Sequence, residues 1–254
     1  HDSLGITPAA RAVTATAMPA PDSDGFIGRT VELQRIATLR TQDDCRLLTI
    51  MGAGGAGKTR LARRALQELA PAYSDGGVFI ALEDVVEPAE LGGRLARELG
   101  VNLTGSRESL EQVVTFLGER HMLLVMDNFE HLVATASVLE KLLHARPLLK
   151  IIVTSRVRLA IGFEQVLPLE GLPCPEAEDQ DRIEAFDASR LFVQAAQRVE
   201  PALVPSSEAA SIIDICRLVE GLPLALELAA AWTRVLSCQA IADELRHGTE
   251  LLHA

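Results

Sequence analysis

Short apolar runs alternate with amphipathic stretches from Arg46 onward. The five runs are RLLTIM, GVFIAL, MLLVMD, KIIVTS and EQVLPL, and helical patterns such as KTRLARRALQEL separate most of them. The runs are almost continuously apolar, which is typical of strands that are covered on both faces. The pattern therefore predicts an α/β fold with a five-stranded parallel sheet.

Composition divides the chain into three segments. Residues 1–24 are rich in Ala, Pro, Thr and Ser and predict a linker. Residues 171–187 hold six acids between Glu176 and Asp187, which predicts a solvated connection and a domain boundary at 172/173. We therefore expect a sheet-containing domain over residues 25–172 and a small helical domain over residues 173–254.

Only helical signals follow the acidic segment. Ser206 and Ser237 are candidate N-caps, and Gly221 can end one helix where Pro223 can start the next.

Charge and composition exclude several classes of protein. With 24 Lys plus Arg against 35 Asp plus Glu, the net charge is -11, so we expect no direct contact with nucleic acid. No run of about 18 apolar residues predicts a membrane span, and no secretory signal is visible, so a cytoplasmic location is expected. The four cysteines are scattered and predict isolated reduced thiols rather than a metal site.

The segment from Gly52 to Thr59 matches the phosphate-binding pattern G-x-x-x-x-G-K-[ST]. It follows a predicted strand and opens a predicted helix. The backbone N–H groups would surround a phosphate, Lys58 would reach the β and γ phosphates, and Thr59 would bind Mg²⁺. A glycine-rich turn that binds nothing is the alternative. The phosphate-binding positions are Gly52, Gly54, Gly55, Ala56, Gly57, Lys58 and Thr59.

Asp127 ends another predicted strand, where it can hold the Mg²⁺ shell or cap a helix. The next residue, Asn128, has an amide that cannot take a proton from water. Glu130 is the nearest carboxylate that could act as a general base, although it could instead cap the following helix.

Two further segments are candidates for nucleotide contacts. Arg156 follows the strand KIIVTS and could bind a γ-phosphate through two hydrogen bonds, or it could be an ordinary surface arginine. Upstream, Ile27, Gly28 and Arg29 lie in a segment that could pack against a flat ring.

Together these motifs resemble the NB-ARC-like modules of STAND ATPases, in particular those of large bacterial transcriptional regulators. The matching segments are FIGRTVEL, GAGGAGKTRLA, LLVMDNFEHL, IIVTSRVRL, LPLEGLPCP and EGLPLALELAAA, in the family's order over residues 25 to about 235. Residues 3–14 also resemble the end of the activation domain of SARP-type regulators.

The resemblance implies a sheet of order 5-1-4-3-2 and a helical lid over ADP or ATP. It implies that Ile27 and Arg29 line the adenine side, that Arg60 lies beside the nucleotide, and that Pro223 closes over the base. From the residues alone, Pro223 could be only a helix start. Family members are switches that ADP holds inactive and that self-associate after exchange for ATP.

Two departures from the family pattern affect these expectations. Asn128 replaces the usual second acid, which implies slow hydrolysis. No winged-helix or sensor segment is visible, so we expect a fragment of a regulator with flanking DNA-binding and sensor domains. The alternatives are an actively hydrolysing AAA-like motor or loader ATPase, and a degenerate module that only joins its neighbours.

Overall fold

The computed structural model describes residues 25–42, 44–87 and 89–252, so the linker predicted for residues 1–24 lies outside the described residues. Its centre is a parallel sheet. The strands are β1 Leu47–Met51, β2 Gly77–Ala81, β3 Met122–Asp127, β4 Leu149–Ser155 and β5 Glu164–Pro168. Their spatial order is β2-β3-β4-β1-β5, with every neighbouring pair parallel. The predicted α/β class and the order 5-1-4-3-2 are confirmed.

Helices precede, connect and follow the strands. The α-helices are α1 Thr30–Thr41, α2 Lys58–Leu69, α3 Glu90–Glu98, α4 Ser109–Leu117, α5 Ser137–Ala145, α6 Asp187–Val199, α7 Ala209–Leu218, α8 Pro223–Ala231 and α9 Cys238–Leu252. Shorter 3₁₀ helices cover Ala70–Ala72, Glu130–Thr135, Ala177–Ala185, Pro205–Ser207 and Trp232–Arg234.

Side chains of β3 alternate between two apolar layers. Leu124 and Met126 pack with residues of α3, α4 and α5. Leu123 and Val125 pack with residues of α1 and α2 on the opposite face. Because helices cover both faces, every residue of β3 is buried, which explains its unbroken apolar sequence.

A third apolar cluster lies among the helices that follow β5. Phe192 of α6, Ile212 of α7, Leu226 of α8 and Ile241 of α9 are all fully buried in it. Ile27 packs against the same cluster from the N-terminal side. These helices therefore have an apolar core of their own.

The acidic segment is more ordered than its charge predicts. It contains the 3₁₀ helix Ala177–Ala185, in which Asp179 and Ile183 are buried. The Glu176 amide donates to the Asp179 carboxylate, and Ile183 joins the third apolar cluster. Most of the acids are exposed, as a solvated connection requires, whereas the burial of Asp179 and Ile183 gives the segment more order than its composition predicts.

One of the two predicted serine caps is wrong. The Ser237 hydroxyl accepts the Ala240 amide at 3.2 Å and caps α9 as expected. Ser206 instead lies inside the 3₁₀ turn Pro205–Ser207, and Glu208 occupies the N-cap position of α7. The proline starts a separate turn before the helix, which moves the helix start beyond the serine.

The four cysteines are free thiols, as predicted. Burial raises the pKa of the Cys238 thiol to about 11 and also raises that of Cys216. Among the described residues, no group of His, Cys, Asp and Glu side chains is arranged to hold a metal. No helix in this part of the chain is long and apolar enough to cross a membrane.

Gly221 joins α7 to α8 in a conformation that a side chain would disrupt. Its φ is 65°, and a Cβ there would lie 2.1 Å from the Leu172 carbonyl oxygen. We predict that Gly221→Ala lowers the free energy of unfolding by more than about 1 kcal/mol. Urea denaturation measures this change.

Gly93→Ala is the matched control. Gly93 lies inside α3, and a Cβ there would meet no atom within 4 Å. This control should raise stability by about 0.5–1 kcal/mol, because alanine favours a helix over glycine. Equal unfolding midpoints for the two variants would contradict the tight approach at Gly221.

Candidate functional site

The phosphate-binding pattern forms the loop between β1 and α2. Gly55 and Gly57 have φ values of 78° and 90°, which residues with a side chain rarely adopt. The Gly52 amide donates to the Ser155 carbonyl at the end of β4, with an N···O distance of 3.2 Å. The loop therefore lies at the carboxyl edge of the sheet, where ligands bind in open α/β folds.

The start of α2 directs amide groups and one cation into this loop. Its N-cap residue is Gly57, which has no side chain that could accept a hydrogen bond from the amides of the first turn. The Lys58 ammonium folds back and donates to the Gly52 and Ala53 carbonyls, each at 2.9 Å. Burial lowers the pKa of Lys58, and the charges of Glu130 and Asp127 oppose that shift. The combination of amides and a partly buried ammonium suits an anion.

Thr59 and Asp127 meet at the centre of this edge. The Thr59 hydroxyl lies 2.9 and 3.0 Å from the two carboxylate oxygens of Asp127. Asp127 is the last residue of β3 and is only 7% exposed. A hydroxyl next to a carboxylate supplies the oxygen ligands that Mg²⁺ prefers.

Glu130 and Arg156 form an ion pair beside the loop. The Arg156 guanidinium donates to Glu130 Oε1 at 3.0 Å and is also close to Gly54. The second oxygen, Glu130 Oε2, is buried and has no hydrogen-bond partner among the described residues. Glu130 begins the 3₁₀ helix Glu130–Thr135, but Phe129 is its N-cap residue. Glu130 therefore contacts Arg156 and is not the N-cap residue of this 3₁₀ helix.

A cavity next to the loop is lined by most of the other residues that were predicted to contact a nucleotide. It is narrow: its volume is about 30 Å³, or about 340 Å³ when the open space at its mouth is included. Its lining residues are Phe26, Ile27, Arg29, Ala56, Gly57, Arg60, Leu172, Leu191 and Pro223. Gly28 lies against Asp187 at the start of α6 and is not a lining residue.

Arg29 has a second role that the sequence did not predict. Its guanidinium donates to the Ala56 carbonyl at 3.0 Å and to the Glu170 carbonyl at 2.6 Å. It also pairs with Glu32 at 2.7 Å. The side chain is buried and joins the phosphate-binding loop to the segment that follows β5, so it fixes one wall of the cavity.

Helix α8 rests directly on the phosphate-binding loop. Pro223 occupies its first turn, as a helix start, and it also lines the cavity. The Leu224 amide donates to the Gly55 carbonyl at 3.2 Å. Farther along, Glu227 pairs with Arg60 of α2 at 3.3 Å. Neither Leu224 nor Glu227 could be predicted as a contact, because no motif spacing reveals which helix face will contact a distant loop.

Comparison with known proteins gives one family match. Residues 40–160 match the family described as an AAA domain. A protein described as an HTH-type transcriptional regulator of Mycobacterium tuberculosis is 35% identical over 202 residues, which are 79% of this chain and 22% of the relative. Regulatory protein AfsR of Streptomyces coelicolor is 28% identical over 98% of this chain and 26% of its own length. The chain thus spans about a quarter of these relatives.

A solved structure supports the fold. The signal transduction ATPase with numerous domains from Pyrococcus horikoshii, which carries a tetratricopeptide repeat sensor, has a TM-score of 0.50 and 19% identity. The likeness covers 91% of this chain and 33% of that structure. At this identity the match bears on the fold alone.

Proposed function

Because the chain contains an AAA-type P-loop ATPase domain, we propose that it is the ADP- and ATP-responsive switch module of a longer transcriptional regulator. The observation that supports this proposal is the contact between α8 and the phosphate-binding loop. The Leu224 amide and the Gly55 carbonyl join the two directly. A nucleotide in the cavity would touch both the loop and Pro223, so nucleotide identity could be transmitted to the helices that follow β5.

The phosphates and Mg²⁺ would lie at the carboxyl edge of the sheet. Amides of Gly54, Gly55 and Gly57 would surround the β-phosphate, and Lys58 would neutralise charge on it. Thr59 would bind Mg²⁺, and Asp127 would hold it directly or through water. When bound, Mg²⁺ would offset the negative charge of the phosphates. The paired oxygens of Thr59 and Asp127 fit such an ion.

The purine would lie at the open mouth of the cavity. Ile27 and Pro223 provide apolar surface for a flat ring, and the Arg29 guanidinium holds the wall between them. Gly28 positions this segment against α6. Arg60 lines the same cavity and pairs with Glu227 of α8, so it would lie between a bound nucleotide and that helix.

A switch requires that its two states bind ADP and ATP with different affinity. We assign nucleotide binding to residues 25–172 and the moving part to the helices of residues 173–254. Opening of α8 would expose surface for nucleotide-dependent self-association. Contact with DNA would belong to flanking domains of the longer protein, because this segment has a net charge of -11.

Slow hydrolysis follows from the groups beside the metal site. The Asn128 amide cannot accept a proton from water, and Arg156 occupies one oxygen of Glu130. We predict steady-state ATP turnover below about 1 per second, the low end for enzymes. Phosphate release from the purified protein measures it. Sustained faster turnover would favour the motor ATPase.

Lys58→Ala tests the nucleotide site itself. Loss of the ammonium removes a charged contact with the phosphates, so affinity for ADP and ATP should fall at least about tenfold. Calorimetric titration with both nucleotides measures the loss, and circular dichroism checks that the fold is kept. Lys141→Ala, on the exposed surface of α5, is the control and should bind as the wild type does. Unchanged ADP affinity in Lys58→Ala would refute the proposed site.

Arg156→Ala tests recognition of the γ-phosphate. The guanidinium lies beside Gly54, so its loss should weaken ATP about tenfold and ADP less than about twofold. Competition titrations with a fluorescent nucleotide measure both affinities. The control is Arg158→Ala, an exposed arginine two residues away that should leave both unchanged. Equal losses of ADP and ATP affinity at Arg156 would remove its sensing role.

A further inference from the structure

Thr154 lies behind the carboxylate of Asp127. It is the second-last residue of β4 and is only 1% exposed. Its hydroxyl donates to Asp127 Oδ1 at 2.6 Å and accepts the Asn128 amide at 2.9 Å. Because the Asn128 amide is a donor only, the hydroxyl hydrogen must point at Asp127. The hydroxyl is therefore fixed in direction as well as in place.

The two oxygens of Asp127 have different surroundings. Oδ1 accepts from Thr154 and is also within reach of Thr59, at 2.9 Å. For Oδ2 the recorded hydrogen bond is with Thr59 alone, at 3.0 Å. The bond from Thr154 thus sets the rotation of the carboxylate about its Cβ–Cγ bond. It leaves Oδ2 beside Thr59, without a hydrogen bond from Thr154.

The same residue holds the turn that follows Asp127. Its carbonyl accepts the Phe129 amide at 3.0 Å, and its hydroxyl holds the amide of Asn128, whose φ is 66°. A substitution that removes only the hydroxyl leaves the Phe129 bond in place. The side-chain contribution can therefore be separated from that of the backbone.

We infer that Thr154 is a positioning residue for Mg²⁺: its hydroxyl orients Asp127 so that one carboxylate oxygen faces the ion beside Thr59. This inference rests on the proposed nucleotide and Mg²⁺ site. Thr154 itself does not contact the ion. Hydrogen bonds that orient a metal ligand typically change metal affinity by 10–100-fold when they are lost.

The test compares Thr154→Val with Thr154→Ser. Valine keeps the shape and removes the hydroxyl, whereas serine keeps the hydroxyl. ATP and ADP affinities are measured over a series of Mg²⁺ concentrations that runs from EDTA to saturation. We expect Thr154→Val to raise the Mg²⁺ concentration needed for half-maximal tight binding by about tenfold and to leave affinity in EDTA unchanged. Thr154→Ser should retain the wild-type Mg²⁺ dependence.

Thr49→Val is the matched control for loss of a buried hydroxyl. Thr49 lies on the neighbouring strand β1, where its hydroxyl donates to Glu164 at 2.9 Å, outside the proposed metal site. It should keep the wild-type Mg²⁺ dependence even if its stability falls. If Thr154→Val does not fold, Thr154→Ala takes its place in the same titrations, because the smaller side chain leaves room for a water molecule beside Asn128.

The outcomes separate the inference from the function on which it rests. Wild-type protein that binds no adenine nucleotide would overturn the proposed function. Wild-type protein with a normal Mg²⁺ response, and a Thr154→Val variant that keeps this response, would overturn the role of Thr154 alone. Equal losses with Mg²⁺ and with EDTA would also overturn it, since they would indicate a purely structural effect.

Discussion

The parallel pairing of β1, β3 and β4 is the constraint on which the candidate site depends. Parallel strands end at the same edge of a sheet, so the phosphate-binding loop after β1 meets the polar ends of β3 and β4 there. The hydrogen bond from Gly52 to the Ser155 carbonyl fixes the start of the loop against β4. The register pairs Met126 with Val153, so Asp127 and Thr154 follow on neighbouring strands, and the carboxylate of Asp127 contacts both Thr154 and Thr59. The buried apolar layers hold the strands in place, and the polar side chains of the candidate site lie at the strand ends.

A second link joins this edge to the helices after β5. The Leu172 amide donates to the Gly221 carbonyl at 2.8 Å, and the Leu224 amide donates to Gly55 at 3.2 Å. The turn before α8 is thereby held at both ends, once to the segment that leaves the sheet and once to the loop itself. The exposed Arg60–Glu227 ion pair adds little, since such pairs contribute about 0–1 kcal/mol. Movement of α8 away from the loop would break this amide contact.

Sequence patterns predicted the sheet well because burial on both faces leaves a clear apolar signal. All five strands and the site of Asp127 followed from it. Contacts between distant segments were beyond such patterns: nothing in the spacing of Arg156 and Glu130 indicates that they pair, and Thr154 was only the end of a strand. Ser206 failed as a cap because the neighbouring proline formed its own turn. Periodicity reports which side chains are buried, whereas partners are decided by the packing of segments far apart in the chain.

The charges around the loop explain how one extra phosphate could be distinguished. Lys58 and Arg156 both lie beside the loop, and burial together with the nearby charge of Arg156 lowers the pKa of Lys58. Glu130 forms an ion pair with Arg156. The side chain of Arg156 is 64% exposed, so solvent screens this pair and makes it weak. A γ-phosphate carries more charge than one carboxylate and can accept two hydrogen bonds from a guanidinium. It should therefore displace Glu130 from Arg156 at low cost, whereas ADP would leave the pair intact.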